Sequence, residues 1–157
     1  MNFLLTGGAG YIGSHAALSL LDAGHNVHII DDLSTGNESL IPKNAFFTKC
    51  NINDEEVISE LIKSNSFDLL MHFAGFIQVE ESVKYPQKYF DNNTENATKL
   101  FETCKNNGLN KIVFSSTAAA YGSVSENKSI NETASLNPQN PYACLLYTSD
   151  AADESVR

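Results

Sequence analysis

A glycine-rich segment near the start of the chain limits the possible folds more than any other feature. The largely apolar run from Asn2 to Thr6 leads directly into Gly7, Gly10 and Gly13, which have the spacing G-x-x-G-x-x-G. From Tyr11 onward the apolar residues recur at helical spacing. A strand that turns into a helix through glycines offers free backbone N–H groups and the positive end of the helix dipole to a phosphate. The segment predicts a strand-to-helix turn that binds the diphosphate of a dinucleotide.

Strand-like and helix-like segments alternate along the rest of the chain. The first helix is predicted from Tyr11 to Ala23, with Ile12, Ala16 and Leu20 on its apolar face and Gly24 after its end. Strands separated by helices form parallel sheets, because parallel neighbours need long right-handed crossovers. The sequence therefore predicts an α/β protein with a doubly wound parallel sheet, the Rossmann fold. The other predicted strands are Asn26 to Ile30, Ala45 to Thr48, Asp68 to Phe73 and Lys111 to Ser115, and the other predicted helices are Asp54 to Lys63, capped by Asn53, and Ser82 to Asn107, broken near Pro86.

Charge and cysteine content exclude several classes of function. The net charge is -9, and no basic cluster is present that could grip nucleic acid or a membrane surface. Cys50, Cys104 and Cys144 are far apart and lack metal-ligand spacing, so we expect neither disulfides nor a metal site. No leader peptide and no apolar stretch of membrane-spanning length is evident, and a cytoplasmic location is expected.

The nature of the dinucleotide follows from the residue that ends the second predicted strand. Asp31 lies about twenty residues after the glycines, where a carboxylate can accept hydrogen bonds from both hydroxyls of the adenosine ribose. A carboxylate there repels the additional phosphate of NADP, which favours NAD as the cofactor. The alternative is that the glycines only form a tight turn and that Asp31 is a solvated strand end.

Five segments resemble one enzyme family in the same order along the chain. They are TGGAGYIGSH from Thr6 to His15, HFAGFIQVEESV from His72 to Val83, YFDNN from Tyr89 to Asn93, FSSTAAAYG from Phe114 to Gly122 and NPQNPY from Asn137 to Tyr142. The first resembles the fingerprint of the extended short-chain dehydrogenases, which remodel nucleotide sugars, and together they resemble the UDP-glucose 4-epimerases. The family acts on UDP-sugars with NAD and commonly forms homodimers.

The resemblance implies a set of cofactor-binding positions at the ends of the strands. The family often has Asp where this chain has Asn51, and many members have a cofactor-contacting Lys where it has Ile77. The implied positions are Gly7, Gly10, Tyr11, Ile12 and Gly13 at the diphosphate, Asp31, Asp32, Thr35 and Gly36 around the ribose, Asn51 and Ile52 beside the adenine, and Phe73, Ala74, Gly75 and Asn93 along the rest of the cofactor.

By the same resemblance, Tyr142 and Thr117 bind the substrate and carry the chemistry. The tyrosine removes the proton of the sugar 4-hydroxyl while NAD accepts the hydride from C4, and the 4-keto sugar then rotates and is reduced on its other face. Thr117 supplies a hydrogen bond to the proton path. The alternative for Thr117 is a hydroxyl that only hydrogen-bonds the backbone at a strand end, and the alternative for Tyr142 is an aromatic ring packed on a surface loop. None of the four histidines is expected to be catalytic.

Residues near Thr117 and Tyr142 bear on the alternative functions. A nucleotide-sugar 4,6-dehydratase would have an Asp-Glu acid pair after Thr117, where this chain has Ala118 and Ala119, so epimerisation is favoured. The family has a Lys four residues after Tyr142 that lowers the pKa of the tyrosine, and this chain has Leu146. The leucine is also compatible with an NAD-binding module that has no catalytic role.

The last residues do not continue the family pattern. We expect residues 1–142 to form an incomplete NAD-binding domain and residues 143–157 to be a tail from a shifted reading frame or appended sequence. Family members are roughly twice as long and bind the sugar nucleotide mainly with the second half. The chain alone is therefore expected to be inactive and to bind NAD weakly or not at all.

Overall fold

The computed structural model describes residues 1–123 and 129–146. These residues form two compact units. The first, called the sheet unit, contains residues 1–75 and 96–115, and the second unit contains residues 76–95 and the described residues from 116 onward. Within the described ranges no helix is long and apolar enough to cross a bilayer.

The sheet unit is built on five parallel strands. Their order is β3-β2-β1-β4-β5, so the chain runs outward from β1 to one edge and then returns to the other side of β1. This order confirms the predicted α/β architecture with a doubly wound parallel sheet. The strands are β1 (Asn2–Thr6), β2 (Asn26–Asp31), β3 (Phe46–Lys49), β4 (Leu69–His72) and β5 (Ile112–Phe114).

Helices connect the strands and continue into the second unit. The helices are α1 (Tyr11–Asp22), α2 (Glu55–Ser64), α3 (Val79–Lys84), α4 (Pro86–Phe90), α5 (Ala97–Asn106) and α6 (141–146), with a π-helical segment at Asp91–Asn96 and short 3-10 helices at Glu38–Leu40 and Ala118–Tyr121.

Two details of the predicted helices are wrong. Ala16 and Leu20 pack against the core as predicted, but the Ile12 side chain is 62% exposed, and Gly13 and Ala17 are the residues of α1 that are buried on this face. The cap of α2 is Asp54 and not Asn53, because the Asp54 carboxylate accepts a hydrogen bond from the backbone N–H of Val57.

The segment predicted as helical from Ser82 to Asn107, with a break near Pro86, is helical in the structure but divided into four parts. Pro86 has no backbone N–H and disfavours helical backbone in the residue before it, which separates α3 from α4. The π-helical segment then joins α4 to α5, and Gly108 ends α5 with a φ of 87°. A break at the proline was expected, but the change of helical pitch was not.

Apolar side chains cover both faces of the sheet. Because side chains alternate along a strand, neighbouring residues of β1 belong to different clusters. One cluster contains Leu4, Ile30, Ile58, Leu70 and Leu100, and the other contains Phe3, Leu5, Ala17, Val27 and Ile29. The carboxyl ends of the strands meet at one edge, where the turn after β1 lies beside the ends of β2 and β4.

A buried histidine, His72, lies at the end of β4 on this edge of the sheet. The Nδ1 atom of His72 lies 2.6 Å from the Thr6 hydroxyl, and its ring stacks on Phe114 and meets the edge of Phe101. Burial lowers the pKa of His72 to about 4, from an ordinary value of 6.5. The ring is therefore neutral in the folded protein at pH values where the unfolded chain begins to bind a proton.

His72 is expected to make the protein sensitive to mild acid. The neutral, buried His72 ring contributes fully to the free energy of unfolding above about pH 6.5. Because its folded pKa is depressed, this contribution is lost as the pH falls towards 4, and the free energy of unfolding decreases by up to about 3 kcal/mol. The change His72→Gln keeps a hydrogen-bonding group beside Thr6 but removes the titration. Urea unfolding at pH 7, 6, 5 and 4.5 should give a shallower pH dependence for this variant. If the free energy of unfolding depends on pH equally steeply in both proteins, the prediction is wrong.

Candidate functional site

The turn after β1 is closed so tightly that only glycine fits at its key positions. We call residues 7–10 the glycine bend. Gly7 has a φ of 71°, and a Cβ atom there would lie 2.5 Å from the backbone nitrogen of Ala74. The Gly10 N–H donates to the Gly7 carbonyl at 3.1 Å, and a Cβ on Gly13 would overlap that same carbonyl. The absence of side chains leaves the backbone itself as the surface of the bend.

Helix α1 begins at this bend without a side-chain cap. Gly10 is the N-cap residue, and the first bond of the helix runs from the Ser14 N–H to the Gly10 carbonyl at 3.0 Å. The N–H groups of Tyr11 and Ile12 belong to the first turn and so have no carbonyl partner within the helix. Their side chains are 77% and 62% exposed. This arrangement of donors and helix dipole suits an anion such as a diphosphate.

Asp31 points from the end of β2 into the glycine bend. One carboxylate oxygen accepts a hydrogen bond from the Ala9 N–H at 3.0 Å, and the other accepts from the Leu33 N–H at 2.9 Å. Gly36 approaches the same carboxylate, since a Cβ on it would lie 2.7 Å from Oδ1. The residue is only 9% exposed. The alternative of a solvated strand end does not fit this geometry.

The contact between Asp31 and Ala9 was missed by sequence reasoning. Ala9 lies inside the glycine motif, and its side chain carries no chemical signal. Its contribution is a backbone N–H, which any residue except proline can supply. A small residue between two glycines was the only available hint.

A second carboxylate lies next to Asp31 and is held by two neighbours. Asp32 accepts hydrogen bonds from the Ser34 N–H at 2.8 Å and from the Asn51 amide at 2.7 Å. Partial burial acts to raise the pKa of Asp32, but the hydrogen bonds from Ser34 and Asn51 outweigh it and hold the pKa below its usual value. The amide at position 51 therefore suits this chain better than the more common carboxylate, which would repel Asp32.

The other predicted ribose and adenine positions differ in exposure. Thr35 is exposed in the loop that follows β2. Ile52 is only 6% exposed and packs in the core cluster with Ile58 and Leu70. Its side chain is a core residue, so only its backbone is available to a ligand.

The residues after β4 border the glycine bend. The Phe73 N–H donates to the Thr6 carbonyl at 3.0 Å, and the backbone of Phe73 and Ala74 lies against Gly7. The sheet unit thus brings together the glycines, Asp31, Gly36 and the start of the segment that ends at Gly75.

The remaining predicted site residues lie in the second unit. Asn93 is 2% exposed, and its amide bonds both the N–H and the carbonyl of Phe76 at 2.9 Å. Thr117 caps the 3-10 helix by accepting from the Ala119 N–H at 3.2 Å. Tyr142 is part of the first turn of α6. Within residues 1–123 and 129–146 no hydrogen bond joins Thr117 directly to Tyr142.

The geometry agrees with the sequence relationships of the chain. A profile of the NAD dependent epimerase/dehydratase family matches residues 3–152. The chain belongs to this family. It is 43% identical over 141 residues to a UDP-glucose 4-epimerase from Streptomyces lividans, an alignment that covers 89% of this chain and 43% of that enzyme.

Solved structures of epimerases have the same fold. A UDP-glucose 4-epimerase from Stenotrophomonas maltophila, solved with bound NAD and a formylated UDP-arabinopyranose, matches with a TM-score of 0.92 and 33% identity over 99% of this chain and 48% of that one. A UDP-Glc/GlcNAc 4-epimerase from Campylobacter jejuni matches with a TM-score of 0.88 and 38% identity over 98% of this chain and 48% of that one. The chain spans less than half the length of these relatives.

Proposed function

We propose that this chain forms the NAD-binding part of an epimerase that interconverts UDP-glucose and UDP-galactose at C4, as a step of galactose metabolism. The observation that carries the proposal is the 3.0 Å hydrogen bond between the Ala9 N–H and the Asp31 carboxylate. It joins the diphosphate-binding bend to the ribose-binding carboxylate, the two elements that hold the adenosine diphosphate half of NAD.

The glycine bend and the strand ends fit NAD on physical grounds. The N–H groups of Tyr11 and Ile12 would stabilise the diphosphate, and Asp31 would hold the ribose with its neighbours Asp32 and Gly36. Bound NAD supplies a hydride acceptor for the sugar C4 and returns the hydride later in the same turnover.

The chain's own catalytic groups move the proton. Tyr142 takes the proton of the 4-hydroxyl as the hydride leaves C4. It returns this proton after the 4-keto sugar has rotated to present its other face. Thr117 supplies a hydrogen bond that shortens this path and keeps its own proton. In place of the acid pair that a dehydratase needs, Ala118 and Ala119 form the 3-10 helix that Thr117 caps.

One observation favours a second function, an NAD-binding module without catalysis. Leu146 lies one helical turn after Tyr142 in α6 and is 8% exposed. An apolar side chain there cannot stabilise a phenolate as a lysine ammonium does. Residues 147–157, the greater part of the proposed tail, lie outside the described residues.

The two functions are distinguished with the complete product of the gene that encodes these residues. Reading the surrounding nucleotide sequence in all frames shows whether a Tyr-x-x-x-Lys pair and a sugar-binding half follow. The epimerase proposal predicts conversion of UDP-galactose to UDP-glucose without net reduction of NAD. A product that binds NAD and has no such activity supports the non-catalytic module. We propose a cytoplasmic homodimer for the complete enzyme.

The 157-residue chain alone is expected to be inactive. The relatives are about twice as long as this chain, and we propose that their additional residues contribute most of the sugar-nucleotide site. Among the described residues, Ile112 and Val113 on β5 are 37% and 45% exposed. Calorimetric titration of this chain should show weak NAD binding or none. Tight one-to-one binding would contradict this expectation.

Replacing Asp31 should weaken the preference for NAD over NADP. In Asp31→Ala the carboxylate that bonds the ribose hydroxyls and repels a 2′-phosphate is gone. We expect NAD to bind about tenfold to a hundredfold more weakly, and the preference for NAD over NADP to fall by at least as much. Titration of the complete gene product with both cofactors measures this, with Asp22→Ala at the exposed end of α1 as the control. An unchanged ratio would exclude Asp31 from the ribose site.

A further inference from the structure

A buried serine sixty positions earlier in the chain holds the start of the helix that carries Tyr142. Ser82 lies on α3 and is 0% exposed. Its hydroxyl donates to the Val79 carbonyl at 2.6 Å and accepts from the backbone N–H of Tyr142 at 3.3 Å. Both residues belong to the second unit. The hydroxyl is thus oriented by its own helix so that a lone pair faces Tyr142.

The first turn of α6 shows why this contact matters. The first N–H groups of any helix lack partners within the helix and must be satisfied from outside. Pro141 has no N–H, and the N–H of Ala143 is capped by the Asn140 side chain at 2.9 Å. The Cys144 N–H makes the first bond of the helix, to the Asn140 carbonyl. The Tyr142 N–H is the donor that α6 cannot satisfy, and Ser82 accepts it.

Helix α3 is itself held by two side chains of α4. The buried hydroxyl of Tyr89 accepts from the Gln78 N–H at 3.1 Å, just before α3, and donates to the Glu81 carboxylate at 2.9 Å. Lys88 adds an ion pair with Glu81 at 2.7 Å. Ser82, the residue after Glu81, therefore sits on a backbone whose position is set by α4, and it can transmit that position to Tyr142.

We infer that Ser82 is a positioning residue for Tyr142: it fixes the backbone from which the proton-transferring phenol projects. The inference rests on the proposed function, because the position of Tyr142 matters to a reaction only if this residue transfers the proton. Small displacements of a catalytic group have large effects on rate, whereas binding of the substrate depends on other contacts. Loss of the Ser82 hydroxyl should therefore lower kcat more than it raises KM.

Amide hydrogen exchange in the complete gene product tests the positioning directly. Ser82→Ala should speed exchange of the Tyr142 amide by about tenfold, the value of one hydrogen bond, and leave the Ala143 amide unchanged. Asn140→Ala should produce the opposite pattern. If both amides speed up equally in Ser82→Ala, the serine only supports the fold and the inference is wrong.

An epimerase assay on the same variants tests the consequence. Ser82→Ala should lower kcat about tenfold or more with KM within twofold, while Ser59→Ala, which loses a hydroxyl bond to Asn107 on the sheet unit, should match the parent protein. Ser82→Thr keeps the acceptor and should retain both slow exchange and kcat. If the added methyl prevents folding, Ser82→Cys, a weak acceptor of similar size, should give intermediate values.

The amide-exchange experiment and the epimerase assay together test the inference separately from the proposed function. If the parent gene product has no epimerase activity, the proposed function fails, and the exchange pattern alone decides whether Ser82 holds Tyr142. If the parent is active and Ser82→Ala keeps its full kcat, the inference is overturned while the proposed function stands.

Discussion

Replacing Tyr142 with Phe is expected to lower kcat for UDP-galactose by about a thousandfold while KM changes little. The substitution removes only the phenolic hydroxyl, the group that must accept and return the proton of the sugar 4-hydroxyl, and positioned acid–base groups contribute on the order of a hundredfold to ten thousandfold to rate. The ring and the backbone contact with Ser82 remain. Steady-state kinetics of the complete gene product, with NAD content measured in each preparation, give the result.

The matched control is Tyr85→Phe. Tyr85 lies at the junction of α3 and α4 and is 49% exposed, so the same hydroxyl is removed where no chemistry is proposed. Its kcat should equal that of the parent. If Tyr142→Phe is as active as the parent, the assigned proton transfer is wrong, and if both variants lose activity alike, the effect lies in folding.

Replacing Gly7 with Ala should both destabilise the protein and abolish NAD binding. The residue has a φ of 71°, which costs a side chain about 1 to 2 kcal/mol. Its Cβ would also press on the backbone of Phe73 and Ala74, which cannot rotate away as a side chain can. We expect the free energy of unfolding to fall by at least twice the amount that the positive φ alone costs. We also expect the added Cβ to open the glycine bend at the place where the diphosphate would bind.

Gly24→Ala separates strain from crowding. Gly24 has a φ of 79°, close to that of Gly7, but a Cβ there would meet no atom within 4 Å. Urea unfolding and NAD titration of both variants in the complete gene product should show only the conformational cost at Gly24, with NAD affinity unchanged. Equal losses at the two positions would show that the contact between Gly7 and the end of β4 is unimportant.

The sequence predicted the sheet because its signals are local and redundant. The apolar run at β1, the glycines after it and Asp31 at the end of β2 each favour one conformation for short-range physical reasons. The strand boundaries differ from the predicted ones by one residue, as at β4, since pairing with β1 decides where a strand ends.

The contacts that organise the site could not be predicted in this way. The bond between Ala9 and Asp31 spans 22 residues and uses a backbone N–H, and the bond between Ser82 and Tyr142 spans 60 residues. Both depend on the assembled fold rather than on residue type. The π-helical segment before α5 was not predicted from the sequence, because a change of helical pitch depends on packing more than on composition.

The central claim is that the glycine bend and Asp31 together hold the adenosine diphosphate half of NAD. The most direct measurement is an NMR titration of the complete gene product with NAD, following individual backbone amides. The amides of Tyr11 and Ile12, which have no carbonyl partner within the helix, should shift and become protected from exchange at one equivalent. The amide of Ala9, which already donates to Asp31, should shift, while that of Ile58 on α2 stays unchanged. Saturable NAD binding that leaves the amides of Ala9, Tyr11 and Ile12 undisturbed would contradict the claim.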